Sequence, residues 1–344
     1  MSETTVRCLV RGSINIDEFF HVKNIVRPGE TISSTHLEQR AGGKGANQAV
    51  AVAKAGGAVD MVGAVGEDGL WVVEQLRQSA VGVEGINTAK EPTGRAIIQL
   101  TEDGENCIIL HKGANYALVP FPALESSDPI PSVTHLLLQN EIPLLTTTRA
   151  AASAHDKGIA TVFNPSPMPS AAELAEVQFP WNKIDWLLVN EGELEGLLDL
   201  FGASSNIESD VPPPAIFLEK AELAKAYKLV KTLSASSVIG KKANIVCTLG
   251  PLGVIARVSH LPDMLYIPAL KLQGDVRDTT GAGDCFTGYL VAGLMQLRAR
   301  GLGLGEKADV EAVLRRSVKA AGMCVERRGA MESIPTSSEV DARI

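Results

Sequence analysis

Residues 278–290 read DTTGAGDCFTGYL. Gly281, Ala282 and Gly283 stand directly before an acid, Asp284, and the run that follows, with Phe286, Tyr289 and Leu290, reads as a helix. Glycines let a backbone approach a ligand closely and leave its N–H groups unobstructed. At a helix start those donors and the helix dipole hold negative charge, which suits the charge developing on a phosphoryl group in transfer. Asp284 beside them would take the proton of a substrate hydroxyl. An aspartate capping a helix after a tight turn explains the same four residues equally well.

Three other groups carry possible chemistry. GSINID (12–17) and AGGKGANQA (41–49) place Asn15, Asp17, Lys44 and Asn47 at the ends of predicted core elements. Paired Asn and Asp fit adjacent sugar hydroxyls, because both offer acceptors and Asn adds donors. Gly42, Gly43 and Gly45 permit close backbone contact. Ordinary turn chemistry uses the same residues, but two such clusters at strand–helix junctions weaken that explanation. VNEGE (189–193) puts Asn190 and Glu193 at a strand end and a helix start. Mg²⁺ keeps several waters and is often held by one or two carboxylates plus phosphates; a capped helix is the locally favoured explanation. TLGPLGV (248–254) is a strand end followed by glycines, which suits either a nucleotide contact or a hairpin turn.

The elements that must position these groups alternate along the chain. VRCLVRGSINID (6–17) reads as a buried strand leading into a functional loop, and 42–57 as a helix stopped by Gly56-Gly57. Strands are expected at 59–66, 134–139, 159–165, 184–190 and 244–250, and helices at 68–80, 145–157, 191–200 and 219–237. Buried strands alternating with helices imply a mostly parallel sheet covered on both faces, a three-layer α/β/α arrangement. Residues 30–40 and 94–115 instead alternate like half-exposed strands, the second with a hairpin turn at 102–105. Together they suggest a small β-sheet lid. GASSNIESDVPPP (202–214) looks like a surface insertion. No linker divides the chain, so 1–344 reads as a single domain.

Bulk composition narrows the function classes. The chain has 344 residues, 45% apolar and 21% charged, as for a globular protein. A net charge of −8 argues against a general nucleic-acid binder, though a local nest of amides holds a phosphate on an acidic protein. Five scattered cysteines without a CxxC pair point to a reduced, cytoplasmic protein without a zinc site. No run is apolar enough to span a membrane. The final Ala342-Arg343-Ile344 loosely matches a peroxisomal address, which such short signals do by chance. The nucleotide motif GxxxxGK[ST] is absent, and GLGLGE (301–306) is not GxGxxG. Any nucleotide is therefore bound by another device.

Taken together, these residues resemble the ribokinase-like (PfkB) sugar kinases. GGKGANQA (42–49) and DTTGAGDCFTGYL (278–290) carry the resemblance, with GSINID, NEIP (140–143), NEGE and TLGPLG in order around them, from about residue 8 to about 335. The resemblance implies ATP-dependent phosphorylation of a sugar's primary hydroxyl, expected here to be O5 of D-ribose, giving D-ribose 5-phosphate and ADP. It implies Asp284 as general base, Gly281, Ala282 and Gly283 as anion hole, and Asn15, Asp17, Gly43, Lys44, Asn47 and Glu141 as sugar contacts. It implies Asn190 and the stretch Thr248, Leu249, Gly250, Pro251, Leu252 and Gly253, with Gly283, at the nucleotide, and Glu193 near Mg²⁺ through water. It further implies a K⁺ site from Asp278, Thr280, Cys324, Arg327, Gly329 and Ser333, mostly through backbone oxygens, and a homodimer through the lid sheets. The 202–214 stretch and Cys285 depart from the family pattern. Another sugar or nucleoside as substrate, or a non-catalytic sugar sensor, are the alternatives; crowded polar groups at the sugar end favour ribose over a nucleoside.

Overall fold

The computed structural model of the chain describes residues 6–103, 105–117, 133–203 and 212–343. Its main sheet orders nine strands: Leu265–Ile267 (β13), Val254–Arg257 (β12), Asn244–Thr248 (β11), Trp186–Asn190 (β10), Ala160–Phe163 (β9), Val133–Leu138 (β8), Arg7–Arg11 (β1), Val59–Val65 (β4) and Gly82–Thr88 (β5). From β11 to β5 all neighbours are parallel, and β12 and β13 are added antiparallel. The helices are Lys44–Lys54 (α1), Leu70–Gln78 (α2), Leu144–Asp156 (α3), Ala171–Val177 (α4), Glu191–Leu200 (α5), Ala221–Ala235 (α6), Ala282–Ala299 (α7), Lys307–Val325 (α8) and Ser337–Ala342 (α9).

The central strands β1, β8, β9, β10 and β11 are mostly apolar and buried because both of their faces are covered. Side chains alternate across a strand, so Leu136 and Leu138 pack with α3, α5 and α6 on one face, while Leu137 packs with α1, α7 and α8 on the other. All three leucines are fully buried, each worth about 1.5–3 kcal/mol of transfer free energy. On the second face α1 meets α7 at close range. A Cβ added at Gly288 would lie 2.3 Å from Ala51 Cβ, so glycine there lets the two helices carry their polar ends together.

A second sheet has the order β3-β2-β6-β7, built from His36–Gly42 (β3), Asn15–His21 (β2), Gly94–Leu100 (β6) and Asn106–His111 (β7). It corresponds to the expected lid, with two changes. Residues 30–35 are not strand, and β2, which lies within the run expected to be the core strand and its loop, joins this sheet. Only three residues, Gly12 to Ile14, separate β1 from β2, so one apolar run serves two sheets. Its register brings Asn15 beside both Gly42 and Gly94. The larger part of the predicted 202–214 insertion, together with Gly104 and Ile344, lies outside the described residues. No helix among the described residues is long and apolar enough to cross a membrane.

Candidate active site

Parallel strands deliver their carboxyl ends to one edge of a sheet, where α/β proteins bind ligands. Here that edge carries a row of polar residues: Gln139 after β8, Asn164 after β9, Asn190 ending β10 and Thr248 ending β11. The start of α7 faces this row. Gly281 precedes the helix with φ +76°, and a Cβ there would lie 2.8 Å from Ala330 Cα. The first turn of any helix leaves N–H groups without intrahelical acceptors; here Ala282, Gly283 and Asp284 supply that turn. Asp284 is only 7% exposed. Its Oδ2 accepts from Asn47 Nδ2 at 3.0 Å and its Oδ1 from Gln48 Nε2 at 2.9 Å. Burial pushes the carboxyl above the usual aspartate range. The Lys44 ammonium and the two amides pull against that rise, and Glu141 adds to it.

Lys44 opens α1. Burial alone would lower its pKa, but Asp284, Glu141 and Glu193 outweigh burial and hold the ammonium above the usual lysine value. It therefore stays charged between the three acids. Glu141 is fixed by Ser13 Oγ at 2.5 Å and by the Lys44 backbone N–H at 3.0 Å, both on Oε2. Gly43 is the residue before α1 and folds against the Ser13–Asn15 backbone. Asn15 accepts from Asn115 Nδ2 at 2.7 Å, and Asn115 in turn accepts from the Ile14 N–H at 2.8 Å. Asp17 is raised from 3.8 to about 7 by burial and by Glu141, Glu332 and Asp284, against the pull of Arg40. The buried Asn47 Oδ1 has no hydrogen-bond partner, which is costly for a buried polar atom unless a ligand supplies one.

Two connected cavities open beside this cluster. One of about 230 Å³ is lined by Lys44, Asn190, Glu193, Gly283 and Asp284, among others. The other, about 560 Å³, is lined mostly by apolar side chains, including Val254, Leu270, Val276 and Val325. They share Thr248, Thr279, Gly283 and Phe286. Of the predicted nucleotide stretch, Thr248, Gly250, Pro251 and Gly253 line the larger cavity, whereas Leu249 and Leu252 pack into the hydrophobic core. The stretch is also a hairpin, with Thr248 opposite Val254 in β12.

Asn190 and Glu193 form a reciprocal cap on α5: Asn190 Oδ1 accepts from the Glu193 N–H at 2.8 Å, and Glu193 Oε2 from the Asn190 N–H at 2.9 Å. The locally favoured capping explanation is therefore real, and both residues also line the smaller cavity. One carboxylate suits a hydrated Mg²⁺. A fully protein-caged metal does not fit, since no group of three or more His, Cys, Asp or Glu with that capacity occurs among the described residues.

The residues expected around a monovalent cation lie on the loop before α7 and on the end of α8 with the loop after it, which Asp278 joins. Its Oδ1 accepts from the Thr280 N–H and its Oδ2 from the Gly329 N–H, both at 2.9 Å. Cys324 Sγ and Ser333 Oγ are 2.8 Å apart, and the Ser333 hydroxyl also reaches the Ala330 carbonyl at 2.8 Å. Arg327 donates its backbone N–H to the Cys324 carbonyl at 3.0 Å and its guanidinium to Glu339 at 2.6 Å. The Cys324 and Ala330 carbonyl oxygens each accept a hydrogen bond and keep a second lone pair with which a large monovalent ion could be met.

Sequence reading missed several members of the site. Gln48, one residue from the recognised Asn47, gave no separate signal. Gln139 and Asn164 are legible only once the strand ends are seen side by side. The apolar wall made by Ala269, Leu270, Leu272, Val276, Val318, Ala321 and Val325 has no motif, because many apolar side chains build such a surface equally well.

The model of pfkB family carbohydrate kinases matches residues 6–337. A ribokinase of Haemophilus influenzae is 32% identical over 335 residues, 96% of this chain and 95% of that protein. The crystal structure of a ribokinase from Cryptococcus neoformans var. grubii in complex with ADP is 48% identical, with a TM-score of 0.83 over 98% of this chain and 100% of the other. An Arabidopsis thaliana ribokinase complexed with ribose and ATP is 27% identical, with a TM-score of 0.75 over 98% and 97% of the two chains.

Proposed function

The chain belongs to the pfkB family of carbohydrate kinases, and from that premise we propose that it transfers the γ-phosphoryl group of ATP to O5 of D-ribose, giving D-ribose 5-phosphate and ADP. The observation that carries this reading is the place of Asp284. It is buried on a helix's first turn, between a cluster of sugar-type donors and acceptors and a polar cavity that opens into an apolar one. The similarity to ribokinases from end to end supports the same substrate pair.

In this mechanism Asn15, Asp17, Lys44, Asn47 and Glu141 hold the sugar, and a sugar hydroxyl satisfies Asn47 Oδ1. Asp284 accepts the proton of the 5-hydroxyl as that oxygen attacks. Its raised pKa suits the task, because a base nearer the working pH is a better proton acceptor. The amides of Gly281, Ala282 and Gly283 face the charge growing on the transferring group. Lys44 is placed to bind the same oxygens. The 560 Å³ cavity takes the nucleoside of ATP, and its apolar walls exclude water from the base. A Mg²⁺ ion held through water by Glu193, with Asn190 beside it, would neutralise phosphate charge. A K⁺ ion held by oxygens around Thr280, Cys324, Arg327, Gly329 and Ser333 would stiffen the turn before α7, with Asp278 bracing it.

The reading extends to a homodimer through the lids, supported by β7, where Ile108, Ile109 and Leu110 are 52%, 56% and 55% exposed. Action in the cytosol is supported by five free cysteines. The test is a coupled ADP-release assay with ribose, 2-deoxyribose, other sugars and nucleosides, in K⁺ or Na⁺. Ribose should give the highest kcat/KM, and K⁺ should exceed Na⁺. A nucleoside preferred over every free sugar would overturn the substrate assignment.

A further inference from the structure

Gln48 is fully buried on α1, and both ends of its side-chain amide are used inside the protein. Its Nε2 donates to Asp284 Oδ1 at 2.9 Å, with Asn164 Oδ1 at 3.5 Å on the same nitrogen. Its Oε1 accepts from Gln139 Nε2 at 2.6 Å. Gln139 follows β8 and is wedged against β1's exit: a Cβ at Gly12 would lie 1.9 Å from Gln139 Oε1. The chain of amides therefore runs from the end of β8, through Gln48, to the carboxylate, and its outer atom, Gln139 Oε1, is buried against Gly12 without a hydrogen-bond partner among the described residues.

Neighbouring Asn47 is arranged differently. It also donates to Asp284, but its own oxygen is left unpartnered, so it is free to bind a ligand. Gln48 has no such free end. Its effect on chemistry must pass through Asp284.

We propose that Gln48, locked by Gln139, is a positioning residue for phosphoryl transfer: it fixes the plane of the Asp284 carboxylate so that a lone pair faces the sugar hydroxyl. The inference rests on the assignment of Asp284 as base. A hydrogen bond to an ionised carboxylate favours the ionised form, so Gln48 also opposes what burial does to Asp284. The charged or titratable groups facing Asp284 are Lys44 on α1, Glu141 after β8, Asp17 on β2, Cys285 on its own helix and Cys324 on α8. None of them replaces the lost amide.

The experiment compares Gln48→Leu, Gln48→Glu and Gln139→Leu with the parent. It measures kcat against pH at saturating ribose and ATP, ribose affinity by calorimetry, and thermal stability, with Asp284→Asn alongside. For Gln48→Leu, kcat at neutral pH should fall about 10- to 100-fold, and the acid limb should move up by roughly one pH unit. Ribose affinity should stay within about threefold, since an interaction used only in the transition state leaves ground-state binding alone. Gln48→Glu should move the limb further, because two carboxylates then share one site; Gln139→Leu should move it less. An unshifted limb, or a kcat loss matched by lost ribose affinity, overturns the positioning role. If Gln48→Leu does not fold, the other two variants decide by the same limb. A dead Asp284→Asn beside unshifted Gln48 variants defeats this inference alone. An active Asp284→Asn defeats the base assignment, and this inference with it.

Discussion

Replacing Asp17 by asparagine should stabilise the ligand-free protein, and the gain should grow with pH. Burial, together with Glu141, Glu332 and Asp284, raises the Asp17 carboxyl from 3.8 to about 7. Between those values the folded chain binds a proton that the unfolded chain has released. Stability therefore falls as pH rises through the window and levels off above about 7. Two of the roughly three pH units lie between pH 5 and 7. At 1.36 kcal/mol per unit they amount to about 2.7 kcal/mol, which side-chain relaxation and counterions reduce to roughly 1–2 kcal/mol. Asparagine carries no such term, and its other costs are independent of pH. Urea unfolding of parent and variant, without ligands, at pH 5 and pH 8 isolates the effect. The advantage of Asp17→Asn should widen by that amount at pH 8. The same variant should bind ribose weakly at every pH, while the parent should lose ribose affinity as pH falls below about 7. A stability difference equal at the two pH values would refute the reasoning, because Asp17 would then ionise freely in the folded state.

Three further perturbations address the other parts of the site. Gly281→Ala forces a Cβ onto a residue at φ +76° and to 2.8 Å from Ala330 Cα. It should cost about 1–3 kcal/mol in thermal or urea unfolding and lower kcat more than it raises the KM for ribose. Ala321→Phe fills the apolar cavity from α8; steady-state kinetics should show the KM for ATP rising roughly tenfold or more with ribose affinity unchanged. Glu193→Ala removes half of the reciprocal cap on α5. It should cost about 1 kcal/mol of stability, and titration of activity with Mg²⁺ should show a higher midpoint.

The parallel core was legible because strands such as THLLLQ and IDWLLVN hold consecutive apolar residues, LLL and WLLV, a pattern that burial on both faces explains. The helices at 42–57 and 191–200 were legible from their glycines and caps, and the observed spans are Lys44–Lys54 and Glu191–Leu200. β2 was not, because NIDEFF follows the core strand after three residues and nothing local marks the change of sheet. β12 and β13 are short, three or four residues each, and too brief for a period to show. At the site, GAGD and GGKGAN announced themselves through glycine and charge. Gln48 and Gln139 did not, since an uncharged amide looks like any other polar residue until its partner, 91 positions away, is seen. Leu249 and Leu252 fell within a stretch assigned whole, whereas the 3₁₀ turn at Gly250–Leu252 sets positions 249 and 252, three apart, on the same side toward the core.

The central claim is that Asp284 takes the proton from the sugar while amides at the start of α7 hold the phosphoryl charge. The most direct measurement pairs single-turnover ADP release with calorimetric ribose binding in Asp284→Asn, a change that keeps the side chain's size. Ribose should still bind, and the transfer rate should fall roughly 10²- to 10⁴-fold, the usual contribution of a general base. Transfer at the parent's rate, with ribose bound, would contradict the account.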